Sequence, residues 1–257
     1  MTVTQVLTHH SPELLAQAVA ARLITRLVDM QSSGRVPTVV LAGGSVADAV
    51  HRAVAQSAAR DAVDWRRVEL WWGDERFVPP GDDERNDAAA RRTLLDGLPL
   101  DPARVHPMPA DDGSMDVDAA AESYADELAH AAAPEDHGQV PGFDLVMLGM
   151  GPDGHVASLF PERPALYEER SVVGVHGAPK PPSTRLSMTL RALNRGREVW
   201  LLVTGEQKAR AVRLALGDAG PVQVPAAGAR GTSRTLWFLD TAAASQLPAG
   251  LSRIASP

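Results

Sequence analysis

Phe143-Asp144-Leu145-Val146-Met147-Leu148-Gly149-Met150 is a short, mostly apolar run that passes straight into Gly151-Pro152-Asp153-Gly154-His155. An apolar run of this length bounded by turn residues reads as a buried strand, and it is the clearest core strand in the chain. Outward from it, short β-like runs alternate with amphipathic helical stretches. On the N-terminal side the pattern predicts strands over residues 3–7, 37–42, 68–72 and 105–108. Helices are expected after Ser11-Pro12-Glu13, a capped start, and over 46–59, 87–95 and 119–132. On the C-terminal side it predicts strands over 172–175, 186–190, 199–203 and 236–239, with a helix over 206–216. The alternation implies an α/β fold: a single doubly wound, mostly parallel, Rossmann-like sheet with helices on both faces. Residues 133–142, rich in Pro and Gly, read as a surface loop. No repeat or linker breaks the pattern, so residues 1–257 are expected to form one domain.

Composition narrows the function. A formal charge of −7 offers no basic face for nucleic acid. No apolar run approaches the roughly 18–20 residues of a membrane span, so no membrane partner is expected. With no cysteine in the chain, disulfides and thiolate metal sites are excluded, which suits a reducing compartment. Met1-Thr2-Val3-Thr4-Gln5 has no basic segment followed by an apolar one, so a cytoplasmic protein without a cleaved export signal is expected.

In open α/β sheets ligands bind beyond the carboxyl ends of the strands, and four segments fall there. Gly43-Gly44-Ser45, between a strand and a helix, suits a phosphate through backbone N–H groups and the Ser45 hydroxyl; a tight turn with Ser45 as a plain N-cap explains it equally. Trp72-Gly73-Asp74-Glu75-Arg76 offers two carboxylates and a guanidinium. Asp74 or Glu75 would orient a catalytic group and Arg76 would pair with phosphate or an oxyanion, or all three form a salt-bridge cluster. Asn86 suits sugar hydroxyls or a helix cap. The third segment contains Gly149, Gly151 and Gly154, a formal match to G-x-G-x-x-G. A dinucleotide fits poorly, because Asp153 puts a carboxylate where a pyrophosphate would sit. The glycines serve better to expose Asp153 and His155 at the strand end, where a neutral imidazole can take a proton from water. His9, His10, His51, His106, His130, His137 and His176 have no such setting. The fourth segment pairs Arg185 with Lys208 in Thr204-Gly205-Glu206-Gln207-Lys208, either of them a phosphate contact or a surface cation. Lys180, in Pro179-Lys180-Pro181-Pro182, reads as a loop charge.

Taken in order, these segments resemble the 6-phosphogluconolactonases, within the wider glucosamine-6-phosphate isomerase/deaminase group. Leu148-Gly149-Met150-Gly151-Pro152-Asp153-Gly154-His155-Val156-Ala157-Ser158-Leu159-Phe160-Pro161 is the most specific match. Trp72-Gly73-Asp74-Glu75-Arg76 with Asn86, Lys180-Pro181-Pro182 with Arg185, and the Lys208 segment follow at similar spacing. The resemblance implies hydrolysis of 6-phosphogluconolactone to 6-phosphogluconate in the oxidative pentose phosphate pathway, with no metal and no cofactor. It implies His155 as the catalytic residue, and phosphate contacts from Gly43, Gly44, Ser45, Arg76, Arg185 and Lys208. The group's glycine loop commonly reads Ser-Gly-Gly-Ser-Thr-Pro; Ala42, Val46 and Ala47 stand at three of those positions here. Two hydroxyl donors are thereby lost, which shifts phosphate binding toward Arg and Lys.

The expected chemistry is attack of a His155-activated water on the lactone carbonyl. Arg76 or backbone N–H groups of the 151–154 turn would receive the oxyanion, and Asp153 or Asp74 would orient His155 or a substrate hydroxyl. Neither G-x-S-x-G nor H-E-x-x-H is present. The rivals are a sugar-phosphate isomerase or deaminase and a non-catalytic phosphosugar-binding protein. Deaminases of the group carry a catalytic Glu where this chain has Phe160, which favours the lactonase. The partner is a small phosphosugar lactone, and the chain is read as a monomer or weak homo-oligomer.

Overall fold

The computed structural model describes residues 3–136, 140–248 and 253–254; His137 and residues 137–139 of the expected loop lie outside them. In chain order the elements are β1 (Val3–His9), α1 (Pro12–Ser32), β2 (Thr38–Leu41), α2 (Ser45–Gln56), β3 (Glu69–Trp72) and β4 (Asp74–Arg76). Then come α3 (Asn86–Thr93), β5 (Val105–His106), α4 (Val117–Ala131), β6 (Leu145–Gly149), β7 (Val172–Val175) and β8 (Arg185–Met188). The chain closes with α5 (Leu190–Leu193), β9 (Glu198–Val203), α6 (Ala209–Ala215), β10 (Arg234–Asp240) and β11 (Arg253–Ile254).

Eight strands form a parallel sheet in the order β11-β1-β10-β9-β6-β2-β3-β5. Its central strands are covered on both faces and therefore read as unbroken apolar runs: β9 is buried throughout and β6 up to Gly149. Helices pack around it. Ser11 caps α1 by accepting from the Leu14 N–H at 3.3 Å, and Leu15, Val19, Leu23 and Leu27 turn one face of that helix inward. No helix among the described residues is long and apolar enough to cross a membrane.

The mostly parallel sheet is as expected, but it is not the only one. The strands expected near 172–175 and 186–190 pair with each other and with β4 in a separate antiparallel sheet, β4-β8-β7. Asp74-Glu75-Arg76 is thus itself a strand, not the ragged end of β3. Short polar strands of this kind carry no hydrophobic alternation, and their pairing depends on a partner far away in sequence.

The order of the large sheet reverses between β2 and β6: β2, β3 and β5 run outward to one side, β6, β9 and β10 to the other. A crevice opens beyond the carboxyl ends of strands at such a switch point. Here β2 delivers Gly43-Gly44-Ser45 and β6 delivers the turn bearing His155.

Candidate active site

A cavity of about 370 Å³ occupies the crevice. Gly43, Gly44, Ser45, Asp74, Arg76, Asn86, His155, Arg185 and Lys208 all line it. Asp153, itself exposed, is bonded to the imidazole beside the cavity.

On the β6 side, His155 Nδ1 lies 2.5 Å from Asp153 Oδ1, and the His155 N–H donates to the same oxygen at 3.3 Å. Nδ1 therefore carries the proton toward the carboxylate. Nε2 has no hydrogen-bond partner among the described residues and is left for chemistry. Burial opposes the Asp153 charge, yet the hydrogen bond and charge of His155 prevail and hold its pKa below the ordinary value. Gly151 makes the arrangement possible, since a Cβ there would lie 2.1 Å from His155 Cε1 and 2.7 Å from Asp153 Oδ1. Below the imidazole lies Phe160, with ring centroids 4.6 Å apart. Ala157, on the cavity wall, has a φ of +49°. That costly backbone conformation is pinned by the Val156–Leu159 bridge and by Ser158.

Ser158 is fully buried and ties this turn to β4: its hydroxyl donates to Asp74 Oδ2 at 2.7 Å. Asn86 Nδ2 donates to the Asp74 carbonyl at 2.9 Å. Asp74 is thereby held away from His155, so of the two carboxylates it is Asp153 that meets the imidazole. Asn86 presses against the glycine loop so closely that a Cβ on Gly43 would fall 1.9 Å from Asn86 Oδ1. Gly43→Ala should therefore displace Asn86 and destabilise the fold by about 1–3 kcal/mol. Melting curves of Gly43→Ala alone and in an Asn86→Ala background check this, because the second cost should be clearly smaller.

The glycine loop is not capped by Ser45. Gly44 takes the N-cap position of α2, with no side-chain cap, and Ser45 is the first helical residue. The loop presents the start of α2 to the cavity, as an anion site requires.

Arg76 and Arg185 are direct cross-strand partners in the β4–β8 pair. Like charges placed so repel, and an anion between them would offset the repulsion. Arg185 is 5% exposed, and the carbonyls of Lys180, Pro181 and Pro182 accept from its guanidinium at 2.9–3.3 Å. Arg76 donates to the Glu84 carbonyl, while its buried Nε has no partner. Burial, with Lys180 nearby, lowers the Lys208 pKa. Lys180 itself lines the cavity, contrary to its reading as a loop charge. The Pro-rich loop that carries it folds back to hold Arg185, which no local pattern announces. Of the oxyanion donors expected in the 151–154 turn, the Gly151 and Gly154 N–H groups are already spent on the carbonyls of His155 and Gly151. Arg76 remains.

The other described histidines lie off the cavity wall. His106 sits between Glu69 and Glu127, His176 meets Asp118, and burial pushes the His51 imidazole down to about 4. Glu75 is fully buried beneath β4, facing Arg85 at 3.6 Å; burial raises its pKa, while Arg85 and the backbone N–H donors favour the charged form.

A sequence profile of the glucosamine-6-phosphate isomerases/6-phosphogluconolactonases matches residues 10–237. The chain belongs to that family. It is similar to the 6-phosphogluconolactonase of Streptomyces coelicolor, 59% identical over 250 residues that cover 96% of each chain. With the 6-phosphogluconolactonase of Mycobacterium tuberculosis it shares 48% identity over 239 residues, 92% of this chain and 95% of that one. The solved structure of the Trypanosoma brucei 6-phosphogluconolactonase superposes with a TM-score of 0.83 at 26% identity, covering 96% of this chain and 100% of that chain. Of the ten residues anticipated for the site, nine line the one cavity and Asp153 is bonded to His155 beside it.

Proposed function

We propose that the chain is a lactone hydrolase that converts 6-phosphogluconolactone to 6-phosphogluconate, with His155 as general base. The observation that carries this reading is a carboxylate-oriented imidazole and a cluster of cations sharing one cavity at the sheet's switch point. His155 Nε2 takes a proton from water as the water oxygen bonds to the lactone carbonyl carbon, and the carbonyl electron pair moves onto oxygen. Arg76, on the cavity wall, receives that oxyanion. When the ring carbon–oxygen bond breaks, the imidazolium returns its proton to the departing oxygen, leaving a carboxylic acid and a hydroxyl. Arg185 and Lys208, with the Gly43-Gly44-Ser45 loop, hold the phosphate, and Asn86 and Asp74 face the sugar hydroxyls. Phe160, buried against His155, supplies no carboxylate for an isomerase or deaminase step.

The reading is of a cytoplasmic enzyme, monomeric or weakly self-associating, with no nucleic-acid partner. A charge of −7 supports the last point. Val3, Leu14, Met115 and Tyr167 are the only large apolar side chains exposed among the described residues, which supports the weak self-association.

The direct test is continuous hydrolysis of freshly made 6-phosphogluconolactone, corrected for spontaneous opening. Turnover no faster than the uncatalysed rate would refute the proposal. Chelation should not matter: the chain has no cysteine, and no group of three or more His, Asp or Glu among the described residues is arranged to hold a metal. Activity in excess EDTA should equal that of the untreated enzyme, and loss restored by a divalent ion would contradict this.

A further inference from the structure

We propose that Glu75 is a positioning residue whose buried carboxylate fixes β4 against the start of α3, and so presents Arg76 and Asn86 to the cavity. Side chains alternate along a strand. Asp74 and Arg76 line the cavity, and Glu75 between them points inward, fully buried. There its Oε1 accepts from the Arg76 N–H at 2.8 Å and the Asn86 N–H at 2.7 Å, and its Oε2 from the Asp87 N–H at 2.9 Å. One side chain therefore holds both backbone positions from which the two cavity residues project. Arg85, the N-cap residue of α3, makes no side-chain cap of its own. Glu75 does that work from another element, while Arg85 is locked onto the Met108 and Pro109 carbonyls and the Asp87 carboxylate.

The residue type follows from the donors it meets. A buried carboxylate is costly unless paired and fully hydrogen-bonded, and an apolar side chain would leave three N–H groups unsatisfied. A carboxylate is acceptor-only, whereas a glutamine would turn an NH₂ toward one of those N–H groups. Between Phe77 and Arg85, which are buried at the two ends of the segment, the chain from Pro79 to Glu84 is mostly exposed, and Glu75 is the side chain that bonds directly to the backbone N–H groups of both Arg76 and Asn86.

This inference rests on the proposed function only in giving Arg76 and Asn86 a substrate to meet. The experiment therefore has one readout that does not depend on activity. In Glu75→Gln, amide hydrogen exchange at Arg76, Asn86 and Asp87 should quicken by about 10-fold or more, while amides of β6 and β9 keep their native rates. On the phosphorylated lactone, Glu75→Gln should lower kcat/KM by about 5- to 10-fold. Arg76→Ala should show a larger loss, and adding Glu75→Gln to Arg76→Ala should then cost little more. Native exchange at the three amides, or an undiminished cost in the Arg76→Ala background, would overturn the proposal. Should Glu75→Gln not fold, Glu75→Asp keeps the charge but draws it back by one methylene, and the same two readouts decide. If Arg76→Ala turns over normally, the assignment of Arg76 fails, and the exchange rates still decide the role of Glu75.

Discussion

His155→Ala is expected to lower kcat by about 10²- to 10⁴-fold, the usual contribution of a positioned general base, while the protein stays folded. The imidazole bonds to one protein side chain, Asp153, and sits on a cavity wall, not in the core. Its removal costs the packing on Phe160 and the bond to Asp153 but no backbone contact of the core. The loss falls on kcat because the imidazole acts on the water, not on the phosphate. Asp153→Asn should also lower kcat, since it removes the charge that steadies the imidazolium and its NH₂ can turn toward Nδ1 and favour the wrong tautomer. Acidification gives an independent check. The Asp153 carboxyl is held below its ordinary pKa in the folded protein. The stability it contributes is present above the unfolded value and lost only as pH falls through the lower folded one. The carboxylate therefore stays charged beside the imidazole into acid below its ordinary range, and Asp153→Asn, which removes that charge, should lower the rate across the neutral range. A folded His155→Ala enzyme with near-native kcat would remove the mechanism.

How far sequence alone reaches can be seen at particular residues. The run from Leu145 to Leu148 is buried at every position because its strand is covered on both faces, and such a strand announces itself as an unbroken apolar stretch. The Asp153-Gly154-His155 turn was legible for the same reason: whatever follows that strand must lie at its carboxyl end. β4 was not legible. Its residues are all charged, it gains strand geometry from pairing with β8, and no pattern within three residues encodes a partner more distant in the chain. The roles of its carboxylates were equally hidden. Asp74 and Asp153 were interchangeable as partners of His155 until Ser158 and Asn86 were seen to hold the first. Gly43 looked like part of a phosphate loop, and its tight approach to Asn86 is a tertiary fact. Lys180 reads as a loop charge until its loop is found wrapped around Arg185.

Removing one cation from the phosphate side is the second large effect. Lys208→Ala should raise the Michaelis constant for the phosphorylated lactone by about 10- to 150-fold, since one charge-assisted hydrogen bond contributes roughly 1.5–3 kcal/mol. Arg185→Ala should do at least as much, because it also strands the carbonyls of Lys180, Pro181 and Pro182 that the guanidinium now satisfies. Ser45→Ala removes a neutral donor and should cost only about 0.5–1.5 kcal/mol. With Ala42 and Val46 in the loop, few hydroxyls remain to compensate for a lost cation. Unphosphorylated gluconolactone presents no such anion, so its catalytic efficiency should barely move, and the ratio of efficiencies on the two lactones is the quantity to compare. If Lys208→Ala and Arg185→Ala both keep the native ratio, these residues are not the phosphate contacts. Stability should move the other way. Burial and the nearby Lys180 lower the Lys208 pKa in the fold, so its charge destabilises the empty protein below the folded pKa, and the cost is relieved as pH rises through it. At neutral pH Lys208→Met should therefore melt about 2–4 °C higher than the native chain, the scale of ~1 kcal/mol in a protein of this size. Adding inorganic phosphate should close that gap by stabilising the native enzyme alone. A cation cluster that weakens the empty fold and strengthens it once an anion arrives is hard to reconcile with surface charge, and the paired melting curves with and without phosphate separate the two.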